Sequence, residues 1–259
     1  MKKKYIIFLA FLIFFNKTYS QEINVFEILE REVPYKSLQY TLHNLLQDYK
    51  KYDNEIFYKD EKYSVRITCR GEWGGSVWFT NNMTGIEYSC AATCVKSINK
   101  YKGGYIITAS LWHGSGSSSI LKIKDPSKME VFLKPKPREE IIKPPYYLED
   151  LESKSRKGVE TLWSDYGGFM INFSFVYDDV LYHVVEKEDK TYLARLEKGR
   201  LIEIGLLSNK SIWSQFNLIQ FGKNHLFLFL GKPYSIRGYI EIIRDKIDLV
   251  WYSRAKRQY

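Results

Sequence analysis

Beyond residue 20 this chain of 259 residues has no apolar run long enough to cross a bilayer, which takes about 20 consecutive apolar residues as a helix. No membrane span is therefore expected in the body of the protein. Histidine is scarce: His43, His113, His183 and His225 are all there are, and none has metal-ligand spacing such as H-E-x-x-H. Cysteine is scarcer, with Cys69, Cys90 and Cys94 alone. The gap in Cys90-Ala-Ala-Thr-Cys94 is wrong for a CxxC redox motif, and three thiols without a nearby histidine make a poor zinc site. A phosphate-cradling glycine loop and a dinucleotide fingerprint are both missing. No metal or cofactor is expected. A basic stripe is missing too: the densest patch is the tail Arg254-Ala-Lys-Arg257, which reads as a solvated terminus. Nucleic acid is not an expected partner.

What the first twenty residues do contain is an address. Lys2, Lys3 and Lys4 precede the apolar run Tyr5–Phe15, and small residues Thr18 and Ser20 follow. This is the pattern of a secretory signal peptide, with cleavage expected before Gln21. Eleven apolar residues rise only about 16 Å as a helix, too short for a bilayer core. Without the four lysines of residues 1–20 the formal net charge falls from +9 to +5, a mild bias. The expected destination is secreted or periplasmic. There a disulfide is permitted, and with three cysteines one thiol is left over or pairs between chains. A bond from Cys69 to Cys90 or Cys94 is expected, because the residues between them read as folded-back strands.

Residues 21–60 read as a helical segment packed on the main domain. Pro34 suits a first helical turn, and Leu38, Leu42, Leu45, Leu46 and Tyr49 fall on one face, so a helix is expected over about 34–51. From 61 to 259 the texture is that of strands. Runs such as Tyr63–Cys69, Gly104–Leu111, Phe169–Tyr177, Val180–Glu186 and Ile247–Tyr252 are rich in Val, Ile, Tyr, Phe and Trp, and turn residues bound them. Asp178-Asp179 and Arg244-Asp245-Lys246 read as tight hairpin turns.

A repeat runs through this region. Ser97–Tyr105 (SINKYKGGY) aligns without gaps on Thr161–Phe169 (TLWSDYGGF), and a looser copy starts at Ser211-Ile212-Trp213-Ser214. Each precedes an apolar strand. The first offset spans a Pro-rich, charged insertion, residues 134–157. With much of it removed, both offsets approach one propeller blade of about 40–50 residues. The expected fold is mainly β: an irregular β-propeller-like repeat of about four or five blades with one N-terminal helix. The alternative is a large antiparallel β-sandwich or meander. Neither WD nor Kelch signatures occur, so the architecture names no function.

The stretch Ser110–Ser119, SLWHGSGSSS, holds histidine and serine together. A catalytic serine would need a strand-to-helix elbow, G-x-S-x-G, and a third group orienting the base. Here apolar strands flank both sides, so a turn is expected, with Gly114 and Gly116 at positive φ. Trp112 and His113 on that turn, with Trp73 and Trp163 at other turns, are the expected binding residues, since a large aromatic on a loop marks a binding surface. Glu72, Glu87 and Asp165 are the carboxylates that polysaccharide hydrolysis would recruit. The expected function is an exported, non-enzymatic binding or scaffold protein with a protein or glycan partner. The alternative is a hydrolase or lyase acting on an extracellular polymer.

Overall fold

The computed structural model describes residues 25–34, 57–136, 151–212, 219–221, 224–231 and 235–253, and in these residues the chain is mainly β. Four separate sheets form, and they do not close into a barrel. The first holds β2 (Tyr58–Lys59), β3 (Tyr63–Ile67), β4 (Ser76–Asn81), β5 (Glu87–Ala91) and β9 (Glu130–Val131). The second holds β6 (Val95–Tyr101), β7 (Gly104–Leu111), β8 (Ser117–Ile123) and β10 (Val159–Tyr166). The third is the meander β11 (Met170–Tyr177), β12 (Val180–Lys187), β13 (Lys190–Glu197) and β14 (Arg200–Ser208). The fourth runs through β15 (Ile219–Phe221), β16 (Asn224–Gly231), β17 (Ser235–Ile243) and β18 (Lys246–Ser253). Strand β1 (Glu27–Pro34) completes it, pairing parallel to β18 along its whole length. All other pairings are antiparallel. The expected sandwich or meander fits this arrangement.

The hairpins are set by local chemistry. Asp178 and Asp179 have φ of 47° and 56°, and Glu188 and Asp189 have 51° and 58°. Two consecutive positive φ values make the tight turn whose twist matches antiparallel strands. The sheets then stack in chain order. Tyr63, Val65, Val77 and Phe79 of the first sheet meet Ile98, Ile107, Leu121 and Ile123 of the second in one core. Ile106 and Ile120, on the opposite face of the second sheet, meet Ile171, Leu181 and Val185 of the third. Phe173, Phe175 and Val184 of the third sheet meet Phe227, Phe229, Ile240 and Leu249 of the fourth. A strand buried on both faces draws mostly on apolar residues in sequence, not in alternation. β7 and β11 are buried on both faces, over Gly104–Ser110 and Met170–Phe175, with the polar residues Thr108, Ser110, Asn172 and Ser174 buried among the apolar ones. Each large apolar side chain buried there contributes about 1.5–3 kcal/mol.

Two expectations change. Pro34 does not open a helix. It ends β1 at the edge of the fourth sheet, where a missing N–H is tolerated. The rest of the expected helix, 35–51, lies outside the described residues, as does the leader 1–20. The repeat is also less regular than its spelling. Ser97–Tyr105 is a hairpin within the second sheet, whereas Thr161–Phe169 carries the chain from the second sheet to the third. The Gly-Gly pair encodes the reversal in both copies, with Gly103 at φ 74° and Gly167 at 80°. It does not encode which sheet the returning strand joins. The aliphatic residue of each copy does keep one role, since Ile98, Leu162 and Ile212 pack into three successive inter-sheet cores.

Of the insertion 134–157, residues 137–150 lie outside the described residues. Both of its ends are fixed to the first sheet. Phe132 N donates to Glu87 O at 2.8 Å on the way in, and Ala91 N donates to Ser155 O at 2.9 Å on the way out.

Candidate binding cleft

The SLWHGSGSSS stretch is a turn between paired strands. Leu111 and Ser117 face each other across the end of the β7–β8 ladder. Gly114 and Gly116 have φ of 60° and 79°, and Gly116 N donates to His113 O at 3.0 Å. The serines serve the framework: Ser110 Oγ and Ser118 Oγ share a hydrogen bond at 2.7 Å, and Ser118 Oγ accepts from Ile171 N at 3.1 Å. The turn therefore lifts Trp112 and His113 off the end of the sheet.

A second loop meets them. Between β3 and β4 the chain makes a single 3-10 turn, Gly71–Trp73. Arg70 N donates to Gly74 O at 2.9 Å, and Trp73 N donates to Arg70 O at 3.2 Å. This loop is fixed at both shoulders. Cys69 is bonded to Cys94 with the Cα atoms 4.2 Å apart, which ties the loop to the start of β6. On the other side Glu152 accepts from the hydroxyls of Thr68 at 2.7 Å and Ser76 at 2.6 Å. The disulfide falls within the expected choice, and Cys90 is the residue left free. Its thiol is buried, and burial pushes its pKa up to about 12, so it is not a thiolate nucleophile at neutral pH.

Arg70, Gly71, Glu72, Trp73, Leu111, Trp112 and His113 line one open cleft of about 240 Å³. Trp73 is 76% exposed and Trp112 46%. Exposed tryptophans at that level depart from the usual burial of the residue. His113 Nδ1 lies 3.4 Å from Glu72 Oε2, so the two loops touch through an imidazole–carboxylate pair. Arg70 Nη1 is shielded from solvent and has no hydrogen-bond partner among the described residues.

Three of the four expected binding residues, Trp73, Trp112 and His113, thus share one cleft. Trp163 does not join them. It sits in β10 opposite Ile120 and packs, half-buried, against the core between the second and third sheets. Of the carboxylates, Glu72 is in the cleft, and the other two have structural roles. Glu87 takes both nitrogens of the Arg66 fork at 2.9 Å. Asp165 caps its own turn, accepting from Tyr166 N at 2.8 Å and Phe169 N at 2.9 Å. Arg70 of the cleft escaped the sequence reading, and so did the exposed Tyr166, which does not line the cleft. Tyr166 is 81% exposed at the end of β10 and pairs with Ser117, the first strand residue after the Trp112 turn. Its place after Asp165 and before Gly167-Gly168, a turn mark, was the available signal.

A serine–histidine hydrogen bond does exist elsewhere. Ser174 Oγ and His183 Nδ1 are 2.7 Å apart, and Thr108 Oγ1 meets the same Ser174 Oγ at 2.6 Å. All three residues are fully buried. Burial lowers the pKa of His183 to about 3, so the ring is neutral. This is a polar seam between the second and third sheets, closed to substrate. Among the described residues no group of His, Cys, Asp and Glu is placed to hold a metal.

No protein-family model, curated protein or solved structure matches the chain.

Proposed function

We propose that this is an exported, non-enzymatic binding protein that takes its ligand in the Trp73–Trp112 cleft. The observation that carries this reading is the pair of exposed tryptophans held in one cleft by a disulfide-anchored loop and a two-glycine turn. Holding large apolar rings in water has a cost in free energy, and a rigid aromatic platform is what a ligand-binding surface needs. The leader pattern and the disulfide both support export. Among the residues lining the cleft Glu72 is the single carboxylate. Hydrolysis of a glycosidic bond ordinarily takes two, which favours binding over turnover. We also read the four stacked sheets as the blades of an irregular propeller, with the cleft on one loop face.

A thermal-shift screen of the purified protein against soluble glycans, cell-wall fragments and extracellular proteins tests the function. A ligand that binds the native state alone raises the melting temperature with concentration. The expected result is a saturable shift that Trp112→Ala abolishes. A shift that survives the double substitution of Trp73 and Trp112 by alanine puts the site elsewhere and overturns the assignment.

A further inference from the structure

We infer that the ligand of the cleft is an acidic glycan, a pyranose polymer bearing one carboxylate per recognised ring. This rests on the cleft being the binding site. The argument starts from Arg70. Arg70 lines the cleft, and its Nη1 is shielded from solvent with no hydrogen-bond partner among the described residues. A shielded donor without an acceptor is costly. An anion supplied by the ligand removes that cost. The guanidinium fork matches a carboxylate in plane and in spacing, giving two parallel charge-assisted hydrogen bonds.

The other lining residues define what carries the carboxylate. Trp73 and Trp112 offer flat apolar faces, and the C–H face of a pyranose ring is flat and apolar in the same way. His113 and Glu72 add a nitrogen and a carboxylate, groups that hydrogen-bond hydroxyls. One carboxylate in the cleft also limits the ligand's charge. A densely sulfated or phosphorylated chain would set anions against Glu72 at a repulsive cost. A ring with a single carboxylate can direct it to Arg70 and its hydroxyls to Glu72 and His113. The formal net charge of +9 for the whole chain, +5 without residues 1–20, favours the approach of such a polyanion.

The test is a tryptophan-fluorescence titration of the purified protein with a panel of carboxylated oligosaccharides: galacturonate, glucuronate, mannuronate, guluronate and sialylated chains. Each is paired with its methyl ester, and dextran sulfate is the non-carboxylate anion. The expected result is saturable binding of at least one carboxylated member, with its ester at least about tenfold weaker. Arg70→Gln should reduce the acid to the affinity of the ester, and Trp112→Ala should weaken both. Because the shielded Arg70 nitrogen holds nothing in the fold, Arg70→Gln should leave the melting temperature close to that of the parent, which separates lost binding from lost folding. Equal affinity for acid and ester, an Arg70→Gln variant that binds the acid as before, or dextran sulfate binding as tightly as the acid overturns the carboxylate assignment. Binding of neutral chains alone, still lost in Trp112→Ala, overturns it too and leaves the cleft in place. Binding that Trp73→Ala and Trp112→Ala both leave intact overturns the cleft itself.

Discussion

Two regions of this molecule place serine near histidine, and they differ in every other respect. In the seam between the second and third sheets, Ser174 and His183 are hydrogen-bonded at 2.7 Å and have no exposed surface. On the β7–β8 turn, His113 is exposed and pairs with Glu72 at 3.4 Å, while Gly114 and Gly116 on either side of Ser115 only shape the turn. The seam has the geometry of a nucleophile and a base without access. The turn has access without that geometry. Catalysis needs both together, and a buried polar contact needs neither substrate nor solvent to be worth keeping. Residue type alone therefore misleads at both places. What separates the two histidines here is access: His183 is fully buried between sheets, whereas His113 is exposed beside the carboxylate of Glu72.

Substitutions break this comparison most directly. His183→Ala leaves a cavity in the core and removes one of the two side-chain partners of the Ser174 hydroxyl, Thr108 being the other. The expected loss is about 4 kcal/mol of unfolding free energy in a urea titration. His113→Ala, on the exposed turn, should stay within about 0.5 kcal/mol of the parent and change binding instead. Similar losses in the two variants would dissolve the distinction. Next in size is the disulfide. Replacing Cys69 and Cys94 together by alanine opens a loop with a sequence separation of 25, and about 3 kcal/mol should be lost. The same variant should bind the ligand more weakly, because the bond anchors the loop that carries Arg70 and Trp73. A stability loss with full binding would mean that the cleft does not depend on the clamp.

The last effect is a slope. Burial lowers His183 to about 3 and His225 to about 4, whereas an unfolded histidine titrates near 6.5. Between those values the unfolded chain binds more protons than the native one, so stability falls as pH falls. The loss should begin near pH 6.5 and continue to about pH 4, at up to about 1.4 kcal/mol per pH unit for each histidine. Melting temperatures measured across that range should decline on the acid side. His225→Phe, which keeps a ring against Phe175, should flatten the decline. A profile that is flat below pH 6.5 in the parent would contradict the neutral, buried state of both rings.

Much of the β framework was legible because its strands are rich in β-branched and aromatic residues and are bounded by turn residues. Gly104–Leu111 was read with the bounds that β7 has, and Phe169–Tyr177 and Val180–Glu186 each missed by one residue. The double-aspartate hairpin was equally plain. Edge strands were not. Glu27–Pro34 is largely exposed and carries charges at Glu27, Glu30, Arg31 and Glu32, so it has no apolar period to read. β6 hid for the opposite reason. Lys96, Ser97 and Asn99 are polar yet buried, and nothing local reveals that Ser97 Oγ will accept from Ser174 N, 77 residues away. At the cleft, Trp73 and Trp112 were legible beside their glycine turns. Trp163 was not separable from them by spelling, because its Gly-Gly lies at the end of a strand that Trp163 itself belongs to. Arg70 was silent, since a sequence cannot show that one shielded nitrogen lacks a hydrogen-bond partner.

The central claim is that Trp73 and Trp112 form one ligand surface. Hydroxyl-radical footprinting of tryptophan tests it residue by residue, with and without the tightest-binding compound from the thermal-shift screen. Trp78 and Trp251, both buried, are internal references. The account predicts that Trp73 and Trp112 are oxidised readily in the free protein and protected together at saturation, with Trp78 and Trp251 unchanged. Bound ligand with both cleft tryptophans still oxidised at the free rate would contradict it.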